Sequence, residues 1–190
     1  TRITPLFMFF RNLTLFRFPE LPRRALSAFD KHLADHRLRP CGPIEMATQG
    51  FVSPFGRDSE ELTHRVGKNT LFCLGGEDKL LPSSVISEAL AVKIGEITEK
   101  EARRVSARER KRLKEEVLTD LLPRAFVKPS RTFAWLTEDS GWLVIDTASR
   151  KLAEAVVSQL REALGRFPAT PMAPSDSPRS LMTDWLVGGK

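Results

Sequence analysis

The side chains best suited to chemistry are few in this 190-residue chain, and the three histidines come first. His32 and His36 stand four residues apart on one helix face with Asp35 nearby, a spacing that could ligate a metal. No Glu occupies the position a metalloprotease needs as its general base, so surface histidines are the plainer reading. Glu60, Glu61 and His64 could gather a divalent ion, and so could Asp139 and Asp146 across a turn. A two-metal nuclease needs a second acidic cluster to hold ions about 4 Å apart, and none is evident in sequence. No Ser or Cys sits in a nucleophile motif. Cys41 and Cys73 have 31 residues between them and no neighbouring His, which reads as two small buried thiols in a reducing compartment. Gly75-Gly76 is followed by Glu77 and Asp78 rather than Lys-Ser/Thr, so it is no phosphate loop. The expectation is a protein without a catalytic centre, metal or cofactor.

Charge is more informative. The net charge is +6 and the pI about 9.7. Between Lys93 and Arg131, twelve cations face seven anions, so an excess of five sits in about a fifth of the chain. Lys/Arg/Glu-rich helix surfaces are commonly just solvated, and Glu99 with Arg103 is a stabilising four-residue pair. A concentrated excess nevertheless favours a polyanion, because each neutralised phosphate releases condensed counterions. Nucleic acid is the first partner this implies.

The elements that carry these residues follow from periodicity. Val85, Ile86, Ala89, Leu90, Ile94 and Ile97 recur at spacings of three and four, as do Leu113, Val117, Leu118, Leu121 and Leu122. Lys100 to Arg112 offers only Ala102, Val105 and Ala107 as apolar residues, so that part should stand in water. Ser106 and Glu109 have capping-box spacing. A single helix over 84–122 would be about 58 Å long. Two helices folded at 101–106 fit better, as an arm with a basic elbow over 83–122.

On either side of the arm the chain reads as sheet and helix. Residues 7–82 suggest β-α-β-β: a strand at Phe7–Phe18, a helix over 23–36, strands at Gln49–Phe55 and Asn69–Leu74, the last closed by Gly75-Gly76. Arg57–Arg65 has a weak helical pattern. Residues 123–187 suggest β-β-α: strands at Thr132–Leu136 and Trp142–Ile145, then a helix carrying Leu152, Val156, Val157, Leu160 and Leu164. Prolines over 168–178 form a stiff connector, and Leu181–Val187 is a final apolar segment with no evident packing partner. The fold class expected is α+β, antiparallel or mixed sheets with packed helices and a protruding helical arm. Residues 1–6 read as an upstream extension, and the chain reads as cut after 190. No apolar run reaches about 18 residues, so no membrane span is expected, and the expected location is cytoplasmic.

Phe10-Arg11-Asn12-Leu13 with Phe16-Arg17, Pro40-Cys41-Gly42, Leu62-Thr63-His64, Leu81-Pro82-Ser83, Glu115-Glu116-Val117-Leu118, Leu121 to Phe126, Trp135, Ile145-Asp146 and Thr183-Asp184-Trp185 form an ordered set. In this order and spacing they resemble the bacterial recombination-associated RdgC family over essentially residues 8–187. The resemblance implies a non-enzymatic, nucleoid-associated protein that binds duplex DNA without sequence preference. It implies a ring-shaped homodimer with a positive central hole that restrains recombinase filament assembly. It also implies a dimer contact at Phe126, which burial statistics alone would place in a core. Family members run to about 300 residues.

The candidates for phosphate contact are Arg103, Arg104, Arg108, Arg110, Lys111, Arg112 and Lys114, with Arg124, Lys128 and Arg131 nearer the hairpin. A divalent-metal nuclease using Glu60, Glu61, His64 or Asp146, and a basic adaptor for protein partners, are the competing readings.

Overall fold

The structure is a computed structural model and describes residues 10–19, 28–172 and 178–188. The starts of the strand expected from Phe7 and of the helix expected from 23, and the middle of the proline connector, lie outside these residues.

The described strands build one antiparallel sheet in the order β2-β4-β5-β6-β1-β7, with β3 also on β4. In chain order they are β1 Leu13–Arg17, β2 Ala47–Val52, β3 Thr63–Val66, β4 Asn69–Leu80, β5 Phe126–Thr137, β6 Trp142–Asp146 and β7 Thr170–Pro171. The described helices are α1 Phe29–Ala34, α2 Ser83–Glu101, α3 Ala107–Leu121, α4 Arg150–Leu164 and α5 Pro178–Leu186. The fold is α+β, and strands from both sides of the arm belong to the same sheet. β4 and β5 pair along their whole length, from Asn69 with Thr137 to Leu80 with Phe126. The other edge of β4 is shared end to end, β3 pairing with Asn69–Phe72 and β2 with Cys73–Asp78.

α1 and α4 cover one face of this sheet. Phe29 and Leu33 of α1, and Ala153, Val156, Val157 and Leu160 of α4, are buried in one cluster with Phe16, Phe51, Phe72, Leu136 and Ile145. Burying a side chain of this size contributes about 1.5–3 kcal/mol. Phe72 sits at the centre, edge-on to Phe29 at 5.7 Å and to Phe51 at 6.1 Å. The buried stripe of α4 is turned from the expected one. Leu152 is exposed, whereas Ala153 and Ala163 are buried, because small side chains let the helix approach the sheet closely. Ser149 caps the start of α4 and Gly165, at φ 69°, ends it.

Several boundaries differ from the sequence expectation for identifiable reasons. The Gly75-Gly76 pair does not close a strand, since β4 runs through it to Leu80. A Cβ on Gly75 would lie 2.6 Å from Val52 Cγ1, and one on Gly76 2.8 Å from Ser130 Oγ. These glycines permit close packing rather than a turn. Gly50 is tighter still, with a Cβ position 2.4 Å from the Leu38 backbone N. There the chain after α1 runs beside β2, Leu38 N–H donating to Phe51 O at 3.0 Å and Phe51 N–H to His36 O at 2.8 Å. Arg57–Arg65 is loop and then β3 rather than helix, closed onto β4 by Gly67 at φ 60°. Cys73 is fully buried as expected, but Cys41 is only half-buried. The final apolar segment forms α5, on which Met182, Trp185 and Leu186 are exposed.

Candidate nucleic-acid interface

The geometry of β4 and β5 positions the arm. Their inner halves lie over the core; beyond it every β5 residue from Phe126 to Arg131 is exposed, while β4 keeps Gly75, Gly76 and Lys79 buried and stays paired with β2 as far as Asp78. The two strands, with β2 alongside as far as Asp78, thus form a ribbon, from whose end α2 leaves and to which α3 returns through a 3-10 turn, Leu122–Arg124. Leu90, Leu113, Val117 and Leu122 are buried yet stand outside the main core cluster. The arm therefore has its own small apolar seam between its two helices. At about 1.5 Å per residue α2 is ~28 Å long and α3 ~22 Å.

The elbow is held by local side-chain bonds against the backbone preference of Ala102. Ala102 ends α2 in the left-handed conformation, φ 47°, which costs a residue other than glycine about 1 kcal/mol. Ser106 starts α3, its Oγ accepting the Glu109 N–H at 3.2 Å. Arg103 ties the two helices together. Its Nε donates to Glu101 at 2.5 Å, and its Nη1 and Nη2 donate to the two Glu109 oxygens at 2.7 Å each. The Arg103 fork, helped by the Ser106 N–H, lowers the Glu109 carboxyl to about 2, and the two glutamates raise the guanidinium of Arg103.

The candidate cations consequently divide. Arg103 is spent on the elbow, Arg112 pairs with Glu116 at 3.4 Å, and outside the candidate set Lys93 pairs with Asp120 at 2.7 Å. Arg104, Arg108, Arg110, Lys111 and Lys114 are exposed and form no ion pair among the described residues. At 100° per residue, Arg108 and Lys111 lie on the side of α3 turned from Leu113 and Val117, Lys114 lies on the flank, and Arg110 lies above the seam, one turn before Leu113. Arg124 and Lys128 are exposed where the arm joins the ribbon. Arg131 lies apart: its position on β5 is opposite Gly75, its guanidinium donates to the Ser53 carbonyl, and it stacks over Phe133.

Phe126 is 83% exposed, so it is not a core residue, and it is paired across the ribbon with the exposed Leu80. The acidic candidates are separated. Asp146 Oδ1 accepts the backbone N–H groups of Arg11 and Asn12, both at 2.9 Å, and Asp139 pairs with Lys68 at 2.6 Å. Among the described residues, no three His, Cys, Asp or Glu side chains come together as a metal-ligating group. None of the described helices is long and apolar enough to cross a membrane.

An antiparallel sheet that carries a helical hairpin with a basic elbow on two long paired strands defines the class: an α+β protein with a helical arm. The chain belongs to the RdgC family, whose model, described as "Putative exonuclease, RdgC", matches residues 8–190. It is 48% identical over 182 residues to the recombination-associated protein RdgC of Xanthomonas axonopodis pv. citri (strain 306). It is 50% identical over 182 residues to the protein of the same name from Xylella fastidiosa (strain 9a5c). In both cases the match covers 95% of this chain and 60% of the relative, so the chain spans about 60% of the length of these relatives.

Proposed function

We propose that this chain binds double-stranded DNA without reading its sequence, through the arm, and breaks no bond in it. The observation that carries this reading is the set of five exposed cations, Arg104, Arg108, Arg110, Lys111 and Lys114, left without an acidic partner at and beyond the elbow. Four of these cations are fixed on α3 and Arg104 stands in the elbow; surface cations without a paired acid attract a polyanion and give no base readout. The proposal extends to assembly. The exposed Phe126 at the root of the arm lies at the contact with a second copy, the pair forms a ring-like dimer around the duplex, and the complex restrains recombinase filaments. That role accords with the recombination-associated name of the relatives. A DNA-bound protein of this kind is cytoplasmic and nucleoid-associated.

Fluorescence anisotropy with a labelled duplex across a salt series tests the binding. If about five phosphates are neutralised, the log–log slope is about −4.5 and a fourfold rise in salt weakens binding roughly 500-fold. Duplexes of unrelated sequence bind equally. Affinity that ignores salt, or that depends strongly on base sequence, overturns the reading. No mobility shift at low salt favours a protein adaptor instead. The exonuclease in the description of the family model supplies the remaining alternative. Labelled DNA incubated with magnesium or manganese stays full length under the present proposal and is shortened under that one.

A further inference from the structure

A second basic site lies away from the arm, and its residues come from three separate parts of the chain. Arg37 follows α1, Arg57 lies on the loop between β2 and β3, and Arg131 lies on β5; all three line one cavity beneath that loop. The sheet register brings them together, through the pairing of Arg131 with Gly75 and the bridge between Arg37 and Phe51. Arg37 Nη2 donates to the Glu60 carbonyl at 2.5 Å, and Arg131 Nη2 donates to the Ser53 carbonyl. These bonds pin the two ends of the loop and fix two guanidiniums, each of which has five N–H donors in all.

The electrostatics of the cavity are unbalanced. None of the three arginines forms an ion pair among the described residues. The one carboxylate in the lining, Glu77, accepts the Cys41 N–H at 2.8 Å. The loop's own Glu60 and Glu61 line a neighbouring groove with Asp30 and Lys31, and Arg37 stands between that groove and the cavity, lining both. Ser53, only 5% exposed, accepts the Phe55 N–H at 3.2 Å and keeps its own proton for a further acceptor. Gly56, at φ 120°, leaves open space where a side chain would stand. Three guanidiniums around one cavity repel each other until an anion sits among them, and the guanidinium fork matches two oxygens of a tetrahedral phosphate.

We infer that this cavity is a phosphate-binding site, taking either the terminal phosphate of a DNA strand or a free phosphate compound. The inference does not depend on DNA binding by the arm. The test is an amide NMR titration of the full chain with inorganic phosphate, with ionic strength held by chloride. The amides of Gly56 and Arg57 are expected to shift and saturate in the millimolar range, while the arm amides stay in place. Arg57→Ala removes a guanidinium that pins no loop carbonyl, and it weakens the titration about tenfold, in line with loss of a charged hydrogen bond. Shifts that do not saturate, or that Arg57→Ala leaves unchanged, overturn the site. Duplexes with a 5′-phosphate or a 5′-hydroxyl then assign the source. Displacement of phosphate from Gly56 by the first alone identifies a DNA end, and displacement by neither identifies a free phosphate compound. Failure of the arm to bind DNA leaves the Gly56 titration standing, so the two readings fail separately.

Discussion

Arg103 sits among many cations, yet three of its N–H groups are already held by Glu101 and Glu109. Its role is to close the elbow, and removing it should loosen the turn more than it lowers the attraction for an anion. Glu109 on Arg103, and Glu45 on Arg39 at 2.5 Å, both have carboxyls lowered from 4.5 to about 2. A carboxylate lowered in the folded state stabilises it fully above about pH 4.5, and that contribution fades as pH falls through about 2. Carbon NMR of these two carboxyls is expected to show midpoints near 2, and midpoints at 4.5 would remove the ion pairs from the account. At Gly50 the issue is space. A Cβ there meets the Leu38 backbone at 2.4 Å, so Gly50→Ala is expected to cost about 1–3 kcal/mol, read as a lower urea midpoint with an unchanged slope. The Ser106–Glu109 spacing was visible in sequence because capping is local. The neutralisation of Arg103 was not, since its choice of Glu101 and Glu109 over the expected Glu99 depends on how the chain turns at Ala102.

For the arm as an element, availability of charge matters more than its amount. Replacing Arg108 and Lys111 together with Ala is expected to flatten the salt slope by about 1.8, two phosphates' worth, with helix content retained because neither touches the apolar seam. Arg103→Ala is expected to leave the slope nearly unchanged and to reduce helix content at the elbow, read by circular dichroism. A slope that falls equally in both variants would show that Arg103 contacts phosphate after all. Phe126→Ser removes a side chain that is 83% exposed, so melting temperature should hold while self-association falls. Sedimentation showing an unchanged dimer would remove Phe126 from the interface. Both arm helices were legible as 3.6-residue periods, and the elbow as the apolar gap between them. The convergence of Arg37, Arg57 and Arg131 had no such signal, because it rests on strand pairing between residues far apart in sequence.

In the whole molecule, the arm is an insertion between two strands that are neighbours in the sheet. The strands themselves were partly legible, their inner ends from apolar runs such as Asn69–Leu74 and Thr132–Leu136. Their outer halves were hidden by Gly75-Gly76, Pro129 and charged residues, which pass for loop until the partner strand is known. Because Leu80 and Phe126 are cross-strand partners, joining them by an Asn-Gly turn in place of residues 81–125 should leave a core that still melts cooperatively. The same excision should abolish DNA binding. A core that no longer folds would mean that the arm's seam contributes to the stability of the sheet.

That shared root also has a mechanical consequence. A pull along the arm tensions β4 and β5 in the same direction, so their mutual register is spared and the load passes sideways into β2, β3 and β6 as shear, where many hydrogen bonds resist together. Prising the two arm helices apart does the opposite, starting at the Leu80–Phe126 rung and opening the ladder one rung at a time. The molecule is therefore stiff against traction along its arm, and yielding to a wedge driven between its helices.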